Sequence, residues 1–147
     1  MNLYEWLQTA IDNEEGAAGV YERIAQKSEP DIASIARVFK EEELSHAERI
    51  SMIANGIKEP DLVLSTDMPN EAAIKAKNER LSDDELNFMN RKELFLFALK
   101  GEKESIELYS ELEKLFDKGS KERELFGKLA AEEKNHMFFV LQQLHEL

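Results

Sequence analysis

Apolar residues recur at alternating steps of three and four along four stretches of the chain. That spacing places side chains on one stripe of an α-helix. The first stretch runs Leu3, Leu7, Ala10, position 14, Ala17, Tyr21 and Ile24. The second runs Ile32, Ile35, Phe39, positions 43 and 46, Ile50 and Ile53. The third runs Phe95, Ala98, positions 102 and 105, Tyr109, Leu112 and Phe116, and the fourth Phe126, Leu129, positions 133 and 136, Val140 and Leu147. The pattern predicts four long helices over roughly 3–27, 31–54, 84–117 and 121–145.

Local signals agree with these ends. Pro30 suits a first helical turn, Gly56 a position just past a helix, Ser82-Asp83-Asp84-Glu85 a capping box, and Gly119-Ser120 a stop followed by an N-cap. The stretch from about 55 to 83 holds Pro60 and Pro69 and has weak periodicity, with a short helix expected in 71–80. Short links join the first helix to the second and the third to the fourth. The long stretch then has to carry the chain back along the bundle. The expected fold is a single all-α domain over 1–147, a four-helix bundle with one long crossover between its second and third helices.

Composition narrows the function. The 147 residues contain 6 Gly and 3 Pro, which suits long helices better than a turn-rich β fold. Acidic residues number 31 against 19 basic ones, a formal charge of -12, which disfavours nucleic acid and anionic membrane surfaces as partners. The absence of Cys removes disulfides, thiolate nucleophiles, Cys-based zinc sites and iron–sulfur clusters. No apolar run approaches the ~18 residues of a membrane span. Met1-Asn2-Leu3-Tyr4-Glu5 has neither a basic nor an apolar character, so a cytoplasmic location is expected.

The candidate chemistry lies where the seams are interrupted. Glu14, Glu43, His46, Glu102, Glu133 and His136 stand in phase with apolar neighbours. A carboxylate in a dry core is costly unless paired, protonated or bound to metal. The second and fourth helices each carry Glu-x-x-His, at 43/46 and 133/136, and i, i+3 spacing puts both side chains on one face. The first and third each carry Glu-x6-Tyr, at 14/21 and 102/109. The two halves repeat with an offset of 88 for the Glu and Tyr pair and 90 for the Glu and His pair. Any one of these glutamates alone would more often be a solvated helix residue, and a lone His a hydrogen-bonded core residue. The set as a whole points to a two-cation site, whose charge four carboxylates would balance. Carboxylate and imidazole donors without sulfur suit iron, with manganese or zinc as alternatives.

Tyr21 and Tyr109 read either as core aromatics or as donors to a ligand on a facing helix, since each stands about two turns from the Glu of its own helix. Glu41, Glu42 and Glu132 read as solvated flank, and His145 as a surface residue. Trp6, Phe88, Phe97, Phe138 and Phe139 read as packing or dimer contacts, with a homodimer expected.

Glu14-x6-Tyr21, Glu43-Leu44-Ser45-His46, Gly101-Glu102-x6-Tyr109 and Glu133-Lys134-Asn135-His136 together resemble the rubrerythrin branch of the ferritin-like superfamily. The resemblance implies a ferritin-like bundle holding two iron ions. Glu14 and Glu102 would be terminal ligands, Glu43 and Glu133 bridging ligands, and His46 and His136 one imidazole per metal. It implies an oxidoreductase reacting with dioxygen or hydrogen peroxide. Two departures matter. Without Cys there is no rubredoxin-like module, so electrons would come from a separate donor protein. Ser105 stands where rubrerythrins carry a further Glu one turn after the third-helix ligand, which points to a simpler symmetric centre. Two other readings follow from the same residues: iron storage of the ferritin type, and a non-enzymatic helical interaction module stabilised by metal.

Overall fold

The computed structural model describes residues 2–57 and 82–147, and in them every element is a helix apart from isolated bridge and turn residues. We number them α1 (Leu3–Gln26), α2 (Pro30–Asn55), α3 (Asp83–Phe88), α4 (Arg91–Leu115) and α5 (Lys121–Glu146). The ends follow local chemistry. Asn2 Oδ1 accepts the Glu5 amide at 2.8 Å, Pro30 opens α2, and Ser120 Oγ accepts the Arg123 amide at 3.2 Å. Gly119 takes a left-handed backbone (φ 82°), which suits a residue without Cβ between α4 and α5. Gly56 closes α2 with an ordinary φ of -92°, so it is the C-cap rather than a left-handed stop.

The third predicted helix is two helices. Ser82 and Glu85 form the expected capping box, but it opens only the six-residue α3. A second capping box then opens α4. Asn90 Oδ1 accepts the Glu93 amide at 2.8 Å, and the Glu93 carboxylate accepts the Asn90 amide at 3.1 Å. These bonds compete with helix continuation, and Met89 is extended (φ -72°, ψ 137°). Arg23 fastens α3 to α1 by reaching Asp83 at 3.0 Å and Asn87 at 2.8 Å.

The buried face of α2 is also rotated from the predicted stripe. Ala33, Ala36, Ala47 and Ala54 line the core with Glu43, His46 and Ile50, while Ile35 is exposed and Ile32, Phe39 and Ile53 flank. Small residues let α2 lie close to α1, so packing favours the alanine face over the bulkier isoleucine row. Leu147, placed on the fourth stripe, lies beyond α5 and is exposed.

Cross-helix contacts fix the directions. Tyr21 meets Glu102 and Glu14 meets Tyr109, so α1 and α4 are antiparallel. His46 meets Glu133 and Glu43 meets His136, so α2 and α5 are antiparallel as well. Since the short links also make α1/α2 and α4/α5 antiparallel, α2 and α4 run the same way. The end of α2 and the start of α3 therefore lie at opposite ends of the bundle, as a ferritin-like all-α bundle with one crossover requires. The intervening connection, with the short helix expected in 71–80, lies outside the described residues.

Two apolar clusters occupy the ends. One contains Leu3, Trp6, Leu7, Ile50, Leu112 and Phe126, and the other Ile24, Ala33, Leu94, Phe95 and Val140. The band between them holds the glutamates and histidines. Among the aromatic residues expected to pack or to meet a partner, Trp6 is buried and Phe97 and Phe139 half-buried, whereas Phe88 is 89% and Phe138 63% exposed.

Candidate metal centre

Each of the four long helices contributes one carboxylate to the middle of the bundle. Glu14 comes from α1, Glu43 from α2, Glu102 from α4 and Glu133 from α5, none more than 2% exposed. His46 and His136 lie one turn after Glu43 and Glu133 and are equally buried. All six side chains singled out from the seams converge.

They form two groups. Glu14, Glu43, His46 and Glu133 each present a donor atom within 4.8 Å of the others, and so do Glu43, Glu102, Glu133 and His136. Glu43 and Glu133 belong to both. The two halves of the chain supply matching contacts. His46 Nδ1 lies 2.8 Å from Glu133 Oε1 and 3.3 Å from Glu14 Oε2, while His136 Nδ1 lies 2.7 Å from Glu43 Oε1 and 3.6 Å from Glu102 Oε1. The imidazole planes are nearly parallel, 14° apart, with centroids 6.1 Å apart. Phe39 covers the outer side of His136, its ring centroid 4.2 Å away.

The tyrosines cap the terminal pair from across the bundle. The Tyr21 hydroxyl donates to Glu102 Oε1 at 2.7 Å, and the Tyr109 hydroxyl donates to Glu14 Oε1. Both are fully buried. Burial first, and then neighbouring carboxylates, hold both phenols well above their ordinary range, so they stay neutral donors.

Electrostatics describe a site short of positive charge. Burial raises the Glu43 carboxyl, and the charges of Glu14 and Glu102 raise it further. Burial and the charges of Glu43, Glu102 and Glu14 raise Glu133 in the same way. The imidazoles respond oppositely. Burial pulls His136 down, but contact with Glu102 and Glu43 overrides it and pushes the ring up to about 11. His46 is raised against the same burial by Glu14 and Glu132. Without a cation, protons are retained on the cluster.

Those protons leave the site incompletely satisfied. Glu14 Oε2, both oxygens of Glu43, Glu102 Oε2, Glu133 Oε2 and His136 Nδ1 make no well-formed hydrogen bond, although all are buried; His136 Nδ1 and Glu43 Oε1, 2.7 Å apart, and Glu14 Oε2, 3.3 Å from His46 Nδ1, have only ion-pair contacts. Six orphaned donor atoms converging at one depth are what cations would satisfy. The residues present thus fit a pair of divalent metal ions, with oxygen and imidazole nitrogen donors.

Two contributors were missed in the sequence. Glu42 and Glu132, read there as solvated flank, each bond a histidine on the facing helix. Glu132 Oε2 accepts from His46 Nε2 at 2.5 Å and Glu42 Oε2 from His136 Nε2 at 2.6 Å. The signal available was their shared offset of 90 within two Glu-Glu-x-x-His runs. Helical phase alone places both outside the seam, and only the approach of the facing imidazole recruits them.

The Rubrerythrin family model matches residues 5–91, more than half of the chain. The match includes Glu14, Tyr21, Glu43 and His46, and the second set stands in the symmetric positions described above. Neither a curated protein nor a solved structure matches the chain. A ferritin-like bundle with a buried carboxylate and histidine cluster, matched over that span, places this chain in the rubrerythrin family.

Proposed function

We propose that the protein is a di-iron carboxylate oxidoreductase of the rubrerythrin type, reducing hydrogen peroxide or dioxygen. The observation that carries this reading is the pair of four-residue groups that share Glu43 and Glu133 in a largely apolar interior. Four carboxylates balance two divalent cations, so the filled site would bury little net charge. When bound, the iron ions would supply electrons and Lewis acidity.

The chain's own part is positioning and exclusion. Tyr21 and Tyr109 hold Glu102 and Glu14 by one oxygen each, leaving the second oxygen of each carboxylate for a cation. The apolar clusters above and below keep bulk water from the ends of the site. Burial of all six donor residues favours a small oxidant over a bulky substrate. In this proposal a separate donor protein supplies the electrons.

Loading the purified protein anaerobically with ferrous iron, followed by elemental analysis, is the direct test. Two tightly held iron ions per chain are expected, with an absorbance change on adding peroxide and its reversal by a reductant. Fewer than one metal ion per chain defeats the proposal. Two ions that never change oxidation state would make the centre structural.

A further inference from the structure

The adjacent glutamates on α2 and α5 grip the same ring at different nitrogens. Glu43 Oε1 lies 2.7 Å from His136 Nδ1, while Glu42 Oε2 lies 2.6 Å from Nε2 of that ring. On the opposite helix Glu133 Oε1 lies 2.8 Å from His46 Nδ1, while Glu132 Oε2 lies 2.5 Å from its Nε2. Each imidazole is therefore spanned by consecutive residues of the helix facing it, and the two spans are reciprocal. The rings are exposed by 1% or less, whereas the side chains of Glu42 and Glu132 are 45% and 30% exposed. Both outer glutamates sit at the rim of the site, on the side away from the donor cluster.

A neutral imidazole has one N–H and one lone pair, and a carboxylate bonded to the N–H fixes which nitrogen is which. On the reading of the site as a two-metal centre, we propose that Glu42 and Glu132 are positioning residues that keep Nε2 protonated and present Nδ1 of each histidine to the metal. Nδ1 is the nitrogen directed at the glutamate oxygens, and His136 Nδ1 is among the orphaned buried atoms. A cation at Nε2 would instead have to displace the outer carboxylate and would lie away from the four inward glutamates. The clamps are separate, so each acts on one metal: Glu42 through His136 on the group with Glu102, and Glu132 through His46 on the group with Glu14.

Cobalt(II) titration of the full chain against a competing chelator tests this without any turnover. Wild type should take up two equivalents. Glu42→Ala and Glu132→Ala should each weaken one equivalent by roughly 10–100-fold and leave the other nearly unchanged. Glu42→Gln and Glu132→Gln should recover part of the loss, because an amide oxygen still accepts the Nε2 proton. Nitrogen NMR of the zinc-loaded wild type should show Nε2 protonated and Nδ1 metal-bound in both rings, which keeps the test independent of whether the variants fold. Unchanged affinity in both alanine variants, equal weakening of both equivalents in each, or metal on Nε2 would overturn the proposal. A wild type that binds no cobalt or zinc would instead remove the two-metal reading itself.

Discussion

Glu102 and Glu14 each have one oxygen bonded to a tyrosine and one that makes no well-formed hydrogen bond. The tyrosine hydroxyl is the hydrogen-bond donor to that first oxygen, and the next donor, His136 Nδ1, stands 3.6 Å from Glu102 Oε1. Tyr21→Phe or Tyr109→Phe should therefore destabilise the metal-free protein by about 1–3 kcal/mol, the cost of leaving a buried acceptor unsatisfied. Urea denaturation measures it, and a change below ~0.5 kcal/mol would show that another donor replaces the phenol. The free oxygens make a different prediction. Glu43 and Glu133 are shared by both donor groups, while Glu14 serves one. Glu133→Ala should abolish uptake of both metal ions, and Glu14→Ala should leave one, held among Glu43, Glu102, Glu133 and His136. Elemental analysis after metal loading separates these outcomes. At this scale the six inward residues were legible from sequence, because a charged residue in phase with an apolar seam is costly enough to need a reason. Glu42 and Glu132 were not, since their role depends on a ring supplied by another helix.

Helix ends in this protein are set by side chains a few residues away. The apolar pattern continues from Leu86 to Phe95 without registering the break at Met89 and Asn90, because a cap is a local hydrogen-bond event. Asn90→Ala should cost about 0.5–2 kcal/mol of stability through loss of that cap, and denaturation of the loaded and metal-free forms should both show it. The rotated face of α2 has a packing cause. Periodicity chose the larger isoleucines, whereas the fold buries alanines because helix separation is limited by side-chain bulk. Ala36 is completely buried within the apolar cluster that contains Tyr21, so Ala36→Leu should overpack it and cost about 1–3 kcal/mol, measurable by thermal unfolding.

The bundle as a whole couples folding to protons and to cations. In the metal-free form His46 and His136 have raised pKa values, His136 to about 11, and Glu43 and Glu133 are raised as well. The folded state therefore holds more protons than the unfolded chain between the unfolded carboxylate range and the folded His136 value. Stability of the metal-free protein is then fully present at low pH with respect to these groups and falls as pH rises through that window. Metal ions replace those protons, so binding should release protons and tighten as pH increases. The gap in melting temperature between loaded and metal-free protein should widen from pH 6 to pH 9, since the ligand binds only the folded form. A constant gap would show that protons and cations do not compete for the cluster.

Sequence by itself determined that the chain is helical, that its halves repeat, and that four glutamates and two histidines occupy positions where apolar residues belong. Each of these follows from spacing along one chain, and spacing is what a helix converts into a face. Only the tertiary structure decided that Glu43 and Glu133 stand in both donor groups, that each tyrosine reaches the carboxylate of the opposite helix, and that Glu42 and Glu132 hold the outer nitrogens of the rings. Those facts depend on the directions and separations of whole helices, which are fixed by how small and large side chains fit between them rather than by any local pattern.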